Sequence, residues 1–344
     1  MSTKSVARAF SGHPLLSAEN RLKVLETARS LGYDEHSNKG ARALAARRLG
    51  RRVKHNIIAV VIGNQPLLHG APYFSELLEG IDQAAGEHGI DLFFFRHAPG
   101  KALPRLITDA EVDGVVTVVA YEDHLRQVST LGVPAVLVFA LSDCIPCLVP
   151  DNYLGTCLAT QHLIDLGHRR IAYIGLDATP GRLSAYRLAG YRDTLVKNGV
   201  SPDPRLIDAS LYQIDSYVAA DAIEGILSKD QSFRSGGRPS FTAVVCYNDP
   251  HGVGVAGRLQ KLGLAVPGDV SVVGFDDTAH LSNLPPALTS IAFDRAAIGR
   301  RAIEMIRGGG LDNLPGMEST HEVFPVELRI RESSAPPPLV YLSR

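Results

Sequence analysis

Cys144 and Cys147 are spaced as CxxC, the pattern of zinc ligands and of redox dithiols. Zinc needs a second such pair or nearby histidines, and redox chemistry needs a helix start. Neither adjoins this pair, and Pro146 and Pro150 mark irregular backbone, so it reads as two ordinary thiols in a loop. His162 and His168 are six residues apart, off one helical face, which argues against a shared metal. Gly252–Gly257 (GVGVAG) fits the phosphate cradle G-x-G-x-x-G, with Asp276 downstream. However, Asn248, Asp249, Pro250 and His251 separate it from the apolar run ending at Tyr247, where such a cradle should begin. No nucleophile–base pair and no paired catalytic carboxylates emerge. The sequence therefore points away from an enzyme and requires neither cofactor nor metal. What remains is a set of polar side chains just beyond apolar runs: Asn248 and Asp249 after Tyr247, Asp276 and Asp277 after Phe275. Carboxylates placed so either meet a ligand or cap the next segment, and a position at a strand's carboxyl end favours the ligand.

The elements that position these groups show in the hydrophobic pattern. Ile57–Ile62, Asp91–Phe95, Val115–Val119, Ala135–Phe139, Ile171–Ile174, Thr242–Tyr247 and Val270–Phe275 read as buried strands. Helical spacing lies between them: Phe74, Leu77, Leu78, Ile81, Ala84 and Ala85 share a face, and Gly89 follows as a stop. Near-continuous apolar strands alternating with helices predict parallel sheets covered on both faces. Two such sets, split near residue 166, predict an α/β protein with two doubly wound lobes and a cleft between them. Gln231–Ser240 reads as a mobile surface loop, and the tail from Ser333, with Pro336, Pro337 and Pro338, as frayed.

Charge is unevenly spread. Residues 1–56 carry 12 Lys and Arg against 4 Asp and Glu, whereas the whole chain has a formal charge of −1. A short basic head on a long acidic body suggests a polyanionic partner, nucleic acid above all. No apolar run is long enough to span a bilayer, and the first ten residues lack the apolar core of a secretory signal. A cytoplasmic location with no membrane partner is expected. Four cysteines are too few and too clustered for a secreted disulfide scaffold. Within the head, Ser2–Phe10 has apolar residues at helical spacing and Gly12–Pro14 forms a turn. Ser17 caps a helix over Ala18–Leu31 that ends at Gly32, and Ala41–Leu49 is a short basic amphipathic stretch.

Several segments together resemble the LacI/GalR family of bacterial repressors over nearly the whole chain. Gln161–Ile174 (QHLIDLGHRRIAYI) is similar to its helix–strand signature, and Arg187–Arg192 (RLAGYR) to its arginine-bearing ligand segment. Asn248–Asp249, Leu262–Asp277 (LGLAVPGDVSVVGFDD) and Leu284–Ile291 (LPPALTSI) follow in order. The resemblance implies two lobes of the type I periplasmic-binding-protein kind, preceded by a small, partial helix-turn-helix segment. It divides the chain into a head (1–56), a first lobe (57–166 and 294–320), a second lobe (167–293 and 321–335) and a frayed tail (336–344).

It also implies a small-molecule effector in the cleft, a sugar or sugar derivative, with a purine or a sugar acid as further options. Arg187 would offer a rigid fork, Asp276 would accept two hydroxyls, and Asn248 would both donate and accept. Tyr212 would stack on the ligand, Asn64, Tyr73 and Phe74 would line the other lobe, and Asp151 would link ligand to lobe closure. For the three aromatic residues a place in the core is an equal alternative. GVGVAG falls where the family has a plain helix at the subunit interface.

For the head, the resemblance implies that Thr3 and Lys4 reach base edges and Arg8 a guanine or a phosphate, as part of a recognition helix. Ser17 would hold phosphates. Asn38 belongs to the same DNA-binding set, and Leu44 would wedge into the minor groove from a hinge helix. The family's first helix is missing, because Met1 falls where the recognition helix begins. Two readings stay open: a start upstream of Met1, or a chain without ordinary operator binding. The implied partners are a pseudo-palindromic DNA operator, the effector and a second copy in a homodimer. The alternative is a sugar-binding protein without operator binding.

Overall fold

The computed structural model describes residues 9, 17–30, 54–62, 67–98, 100–118, 121–212, 214–308 and 321–338. The chain divides into two compact units, 1–55 and 56–344.

In the first unit, helix α1 spans Ala18–Ser30. Ser17 starts it as expected: its hydroxyl accepts from the Asn20 amide at 3.4 Å and its carbonyl from the Arg21 amide at 2.9 Å. Glu19 in the first turn opposes the positive end of the helix dipole and pairs with Lys23 at 3.1 Å. Val24 is buried, and Arg21 Nε donates to the carbonyl of Ala9 at 3.0 Å. Thr3, Lys4, Arg8, Asn38 and Leu44 lie outside the described residues.

The second unit carries two six-stranded sheets. The first contains β1 (Ile57–Ile62), β2 (Asp91–Arg96), β3 (Gly114–Val118), β4 (Ala135–Val138), β5 (Cys147–Pro150) and β11 (His321–Phe324), in the order β11-β5-β4-β3-β1-β2. The second contains β6 (Ile171–Leu176), β7 (Ile207–Leu211), β8 (Ala243–Cys246), β9 (Ser271–Phe275), β10 (Thr289–Ala292) and β12 (Glu327–Arg329), in the order β12-β10-β9-β8-β6-β7. All pairs are parallel except β10 with β12. The central strands are buried along their length, which is why β-branched runs such as IIAVVI and GVVTV form them.

The flanking helices are α2 (Leu67–Glu87), α3 (Arg105–Thr108), α4 (Glu122–Thr130), α5 (Asn152–Asp165), α6 (Leu183–Lys197), α7 (Ser216–Lys229), α8 (Gln231–Arg234), α9 (Asp249–Lys261), α10 (Ala279–Ser282) and α11 (Arg295–Arg307). Helices α2 and α11 pack backbone to backbone. A Cβ on Gly80 would lie 2.0 Å from the Ala296 carbonyl oxygen, and one on Gly299 2.3 Å from that of Leu77.

Four expectations need correction. Asp91–Phe95 is not a buried strand: β2 is the outermost strand of its sheet, with Phe93 and Phe94 39% and 49% exposed. Gln231–Ser240 is not a free loop, because Asp230 caps the one-turn helix α8 and takes the Ser240 amide at 2.6 Å. The tail from Ser333 is not frayed as far as it is described. Ser333 is buried, its amide donates to Ala287 at 3.0 Å, and its hydroxyl donates to Val272 at 2.5 Å. Finally, His321–Phe324 joins the first sheet beside β5, so a boundary at residue 320 is misplaced: the chain crosses between sheets after Phe324. It also crosses after β5 and after β10.

Candidate ligand-binding site

The polar groups picked out beyond Tyr247 and Phe275 do converge. Strands β8 and β9 are adjacent and parallel, so Asn248 and Asp276 leave neighbouring carboxyl ends. Helix α6 brings Arg187 to them. Its guanidinium is nearly enclosed, lying 3.6 Å from the ring centre of Phe275 and 4.3 Å from that of Tyr247. Its Nε donates to Asn152 Oδ1 at 2.7 Å, Nη1 donates to the Tyr247 carbonyl, and Nη2 stands 3.5 Å from Asp276 Oδ1. That last separation is an ion pair rather than a hydrogen bond, and the buried Oδ1 of Asp276 has no hydrogen-bond donor among the described residues. Burial raises the Asp276 carboxyl to about 6, with the cations of Arg187 and Arg295 pulling the other way.

The turn carrying Asp276 is strained. Asp276 has φ 104° and Asp277 φ 48°, a region side-chain-bearing residues adopt at a cost. Surrounding groups hold it there. The Asp276 amide donates to the Ile291 carbonyl at 2.8 Å, that of Asp277 to Ser290 Oγ at 3.1 Å, and that of Thr278 to Asp249 Oδ2 at 2.6 Å. Arg295 Nη1 donates to the Asp276 carbonyl, and Arg331 pairs with the Asp277 carboxylate at 2.7 Å. Asn248 is buried as the N-cap of α9, its Oδ1 accepting from the His251 amide at 3.1 Å.

On the first lobe's side, Tyr73 joins this group. Its ring is 5.3 Å from Phe139 and 5.0 Å from Phe74, and Arg295 lies 5.5 Å from its centre. Burial holds the Tyr73 hydroxyl well above its ordinary range, and the Asp276 charge adds to that. Phe74 packs beside the core. Asp151 marks the first crossing between sheets: it caps α5 through Leu154 N at 2.8 Å, and its own amide donates to the Phe324 carbonyl at 2.9 Å. Tyr212 is not with the group; it follows β7 and is 84% exposed. Asn64 lies outside the described residues.

Several contributors escaped the sequence reading. Asn152 follows a named residue and Tyr247 precedes one, so adjacency was a usable signal for both. Glu76 and Arg295 meet across 219 residues at 3.0 Å, and no local spacing announces that.

Cys147 opens β5 instead of lying in a loop, and burial raises its thiol to about 11, which leaves it unreactive. Among the described residues no group of three or more His, Cys, Asp or Glu could hold a metal, and no helix is long and apolar enough to cross a membrane.

The family model of the periplasmic-binding-protein-like domain matches residues 160–334. The chain is 27% identical to the HTH-type transcriptional regulator GalR of Escherichia coli K12 over 346 residues, which cover 98% of this chain and 93% of GalR. It is 28% identical to the HTH-type transcriptional repressor CytR of the same strain, covering 97% and 93%. The chain belongs to the LacI/GalR family of transcriptional regulators. The structure of the transcriptional regulator CelR–cellobiose complex shares the fold of this LacI/GalR member, with a TM-score of 0.70 and 24% identity over 97% of this chain and 96% of that one. GVGVAG lies inside α9 of the LacI/GalR chain as plain helix. A Cβ on Gly254 would lie 2.0 Å from the Ser216 carbonyl oxygen, so its smallness serves contact with α7 rather than phosphate.

Proposed function

We propose that this chain is a cytoplasmic transcriptional repressor whose second unit binds a sugar or sugar-like effector between its two lobes, and whose basic head binds a pseudo-palindromic operator as part of a homodimer. One observation carries the ligand reading. Asp276 presents a buried oxygen without a hydrogen-bond donor among the described residues, beside the forked cation of Arg187, which itself lies over the rings of Tyr247 and Phe275. A ligand hydroxyl supplies the missing donor, and the rings offer the apolar floor that a sugar face needs. Tyr73 and Phe74 are assigned to the first lobe's side of the effector; Asn64, Asp151 and Asn248 complete the proposed effector set, and Tyr212, exposed after β7, is left out of it. Thr3, Lys4, Arg8, Ser17, Asn38 and Leu44 form the proposed DNA-binding set.

The exposed Phe93 and Phe94 on an edge strand support the homodimer, since a second copy would cover them. Binding of effector and of operator is then linked, each altering the affinity for the other by the same factor.

The test is selection of a duplex from a random library by the full chain at two salt concentrations, followed by displacement with a panel of sugars that includes cellobiose. A dyad-symmetric duplex, bound more weakly at the higher salt and shifted by a panel member, is the expected result. Sugar binding without any enriched duplex would instead make the chain a small-molecule binding protein without an operator.

A further inference from the structure

Arg295 is the first residue of α11, directly after the crossing that follows β10, and it is 2% exposed. Its guanidinium addresses both lobes at once. Towards the first lobe, Nε donates to Glu76 on α2 at 3.0 Å, and the cation lies 5.5 Å from the Tyr73 ring. Towards the second, Nη1 donates to the Asp276 carbonyl and Nη2 to that of Asp277 at 3.4 Å. The hydrogen-bond and ion-pair partners of Arg187 among the described residues, Asn152, Tyr247 and Asp276, all belong to elements packed on the second sheet.

Two features make this contact more than a brace. The carbonyls that Arg295 holds belong to the two residues with φ 104° and 48°, so the guanidinium stabilises the strained form of the turn. Phe293 stacks beside it, 5.1 Å from the cation, and lies 5.9 Å from Phe139 and 6.3 Å from Phe275. The surroundings are therefore packed, and a shift of the turn moves Arg295 rather than being absorbed by loose neighbours.

We propose that Arg295 is the positioning residue that couples the Asp276–Asp277 turn to helix α2 through Glu76. Its functional meaning rests on the reading that Asp276 touches the effector. A movement of the turn on binding then reaches the first lobe through one buried guanidinium.

The experiment is backbone hydrogen exchange of the full chain, without DNA or sugar, for R295M, R295K, E76Q and the control E79Q. R295M should speed exchange at Asp277 and Thr278 by about tenfold or more, and should also speed it across residues 73–79. E76Q touches no atom of the turn and should nonetheless speed exchange there, whereas E79Q, one turn along the same helix face, should not. R295K keeps the charge but not the fork, and should fall between wild type and R295M. Combining R295M with E76Q should add little to R295M alone. If E76Q leaves the turn unchanged, or R295M disturbs the turn while residues 73–79 stay as in wild type, Arg295 is a local support and the coupling is refuted. Because no ligand or operator enters the assay, either result stands apart from the fate of the repressor reading.

Discussion

Asp249 Oδ1 takes a 2.5 Å hydrogen bond from the Ser290 hydroxyl, while its Oδ2 takes the Thr278 amide at 2.6 Å. This carboxyl lies at the start of α9, fully buried beneath the turn that carries Asp276. Burial is the main cause that raises it to about 8, and the neighbouring Asp276 charge comes second. The folded chain therefore favours the protonated acid, whereas the unfolded chain releases that proton near pH 4. Stability from this group is complete below about pH 4 and declines as pH rises towards about 8. The urea midpoint should fall between pH 5 and pH 8, and D249N should flatten that fall. An unchanged slope in D249N would remove Asp249 from the explanation.

His124 works in the opposite direction. It is buried with its ring centre 4.4 Å from that of His97, and neither of its nitrogens has a hydrogen-bond partner among the described residues. Burial first, then the His97 neighbour, lowers it from 6.5 to about 4. The fold accepts only the neutral ring, so its contribution is intact above pH 6.5 and is lost as pH falls towards about 4. H124F should make the melting temperature less sensitive to acid between pH 6.5 and 4.5. A drop with acid as steep as that of wild type refutes the assignment.

Replacing Arg187 by Ala should abolish the response to effector while leaving operator affinity largely intact. The lost charged hydrogen bonds are worth about 1.5–3 kcal/mol each, while Asp276 keeps the cation of Arg295. Calorimetric titration with the effector and duplex binding of the same sample separate the two. Loss of both together in a folded protein would count against this role.

Phe94 is 49% exposed on the outermost strand of the first sheet. Placing a charge there with F94E should leave the melting temperature of the monomer nearly unchanged but halve the mass seen by light scattering. A wild-type chain that is already monomeric at micromolar concentration would contradict the homodimer.

Ser333 is buried between β9 and β10, accepting from the Thr289 amide at 2.8 Å and donating to the Val272 carbonyl. S333A strands both groups and should cost about 1–3 kcal/mol, read as a lower urea midpoint. Ending the chain at Glu332 should cost more, because Ala335 also bonds Ser271 and His168. A fully stable truncated chain would show that these contacts contribute nothing.

Six central strands, β1, β3, β4, β6, β8 and β9, were legible because parallel sheets covered on both faces demand unbroken apolar runs; β5 (CLVP) and β10 (TSIA) are equally buried but were not, their four-residue runs being broken by proline or hydroxyls. Strands β7 (IDASL), β11 (HEVF) and β12 (ELR) were not, since edge strands are half exposed and their composition resembles loop. The tail was misread for a related reason: its three prolines mask the buried Ser333 and the carbonyl of Ala335. In the site, Asn248 and Asp276 could be named from their places after strands. Arg295 could not, because its partners Glu76 and Asp276 come from opposite sides of the cleft and meet only in the folded chain.

Each sheet takes its last strand from the final part of the chain: β11 completes the first and β12 the second. A chain emerging from the ribosome therefore exposes the open side of β5 until His321–Phe324 has been made, and that of β10 until Glu327–Arg329 follows. Both lobes close almost together, once residues 321–329 have been made, and until then unpaired strand edges are available to other nascent chains. A chain stopped before His321 would leave two unfinished sheets rather than one intact lobe and one damaged one.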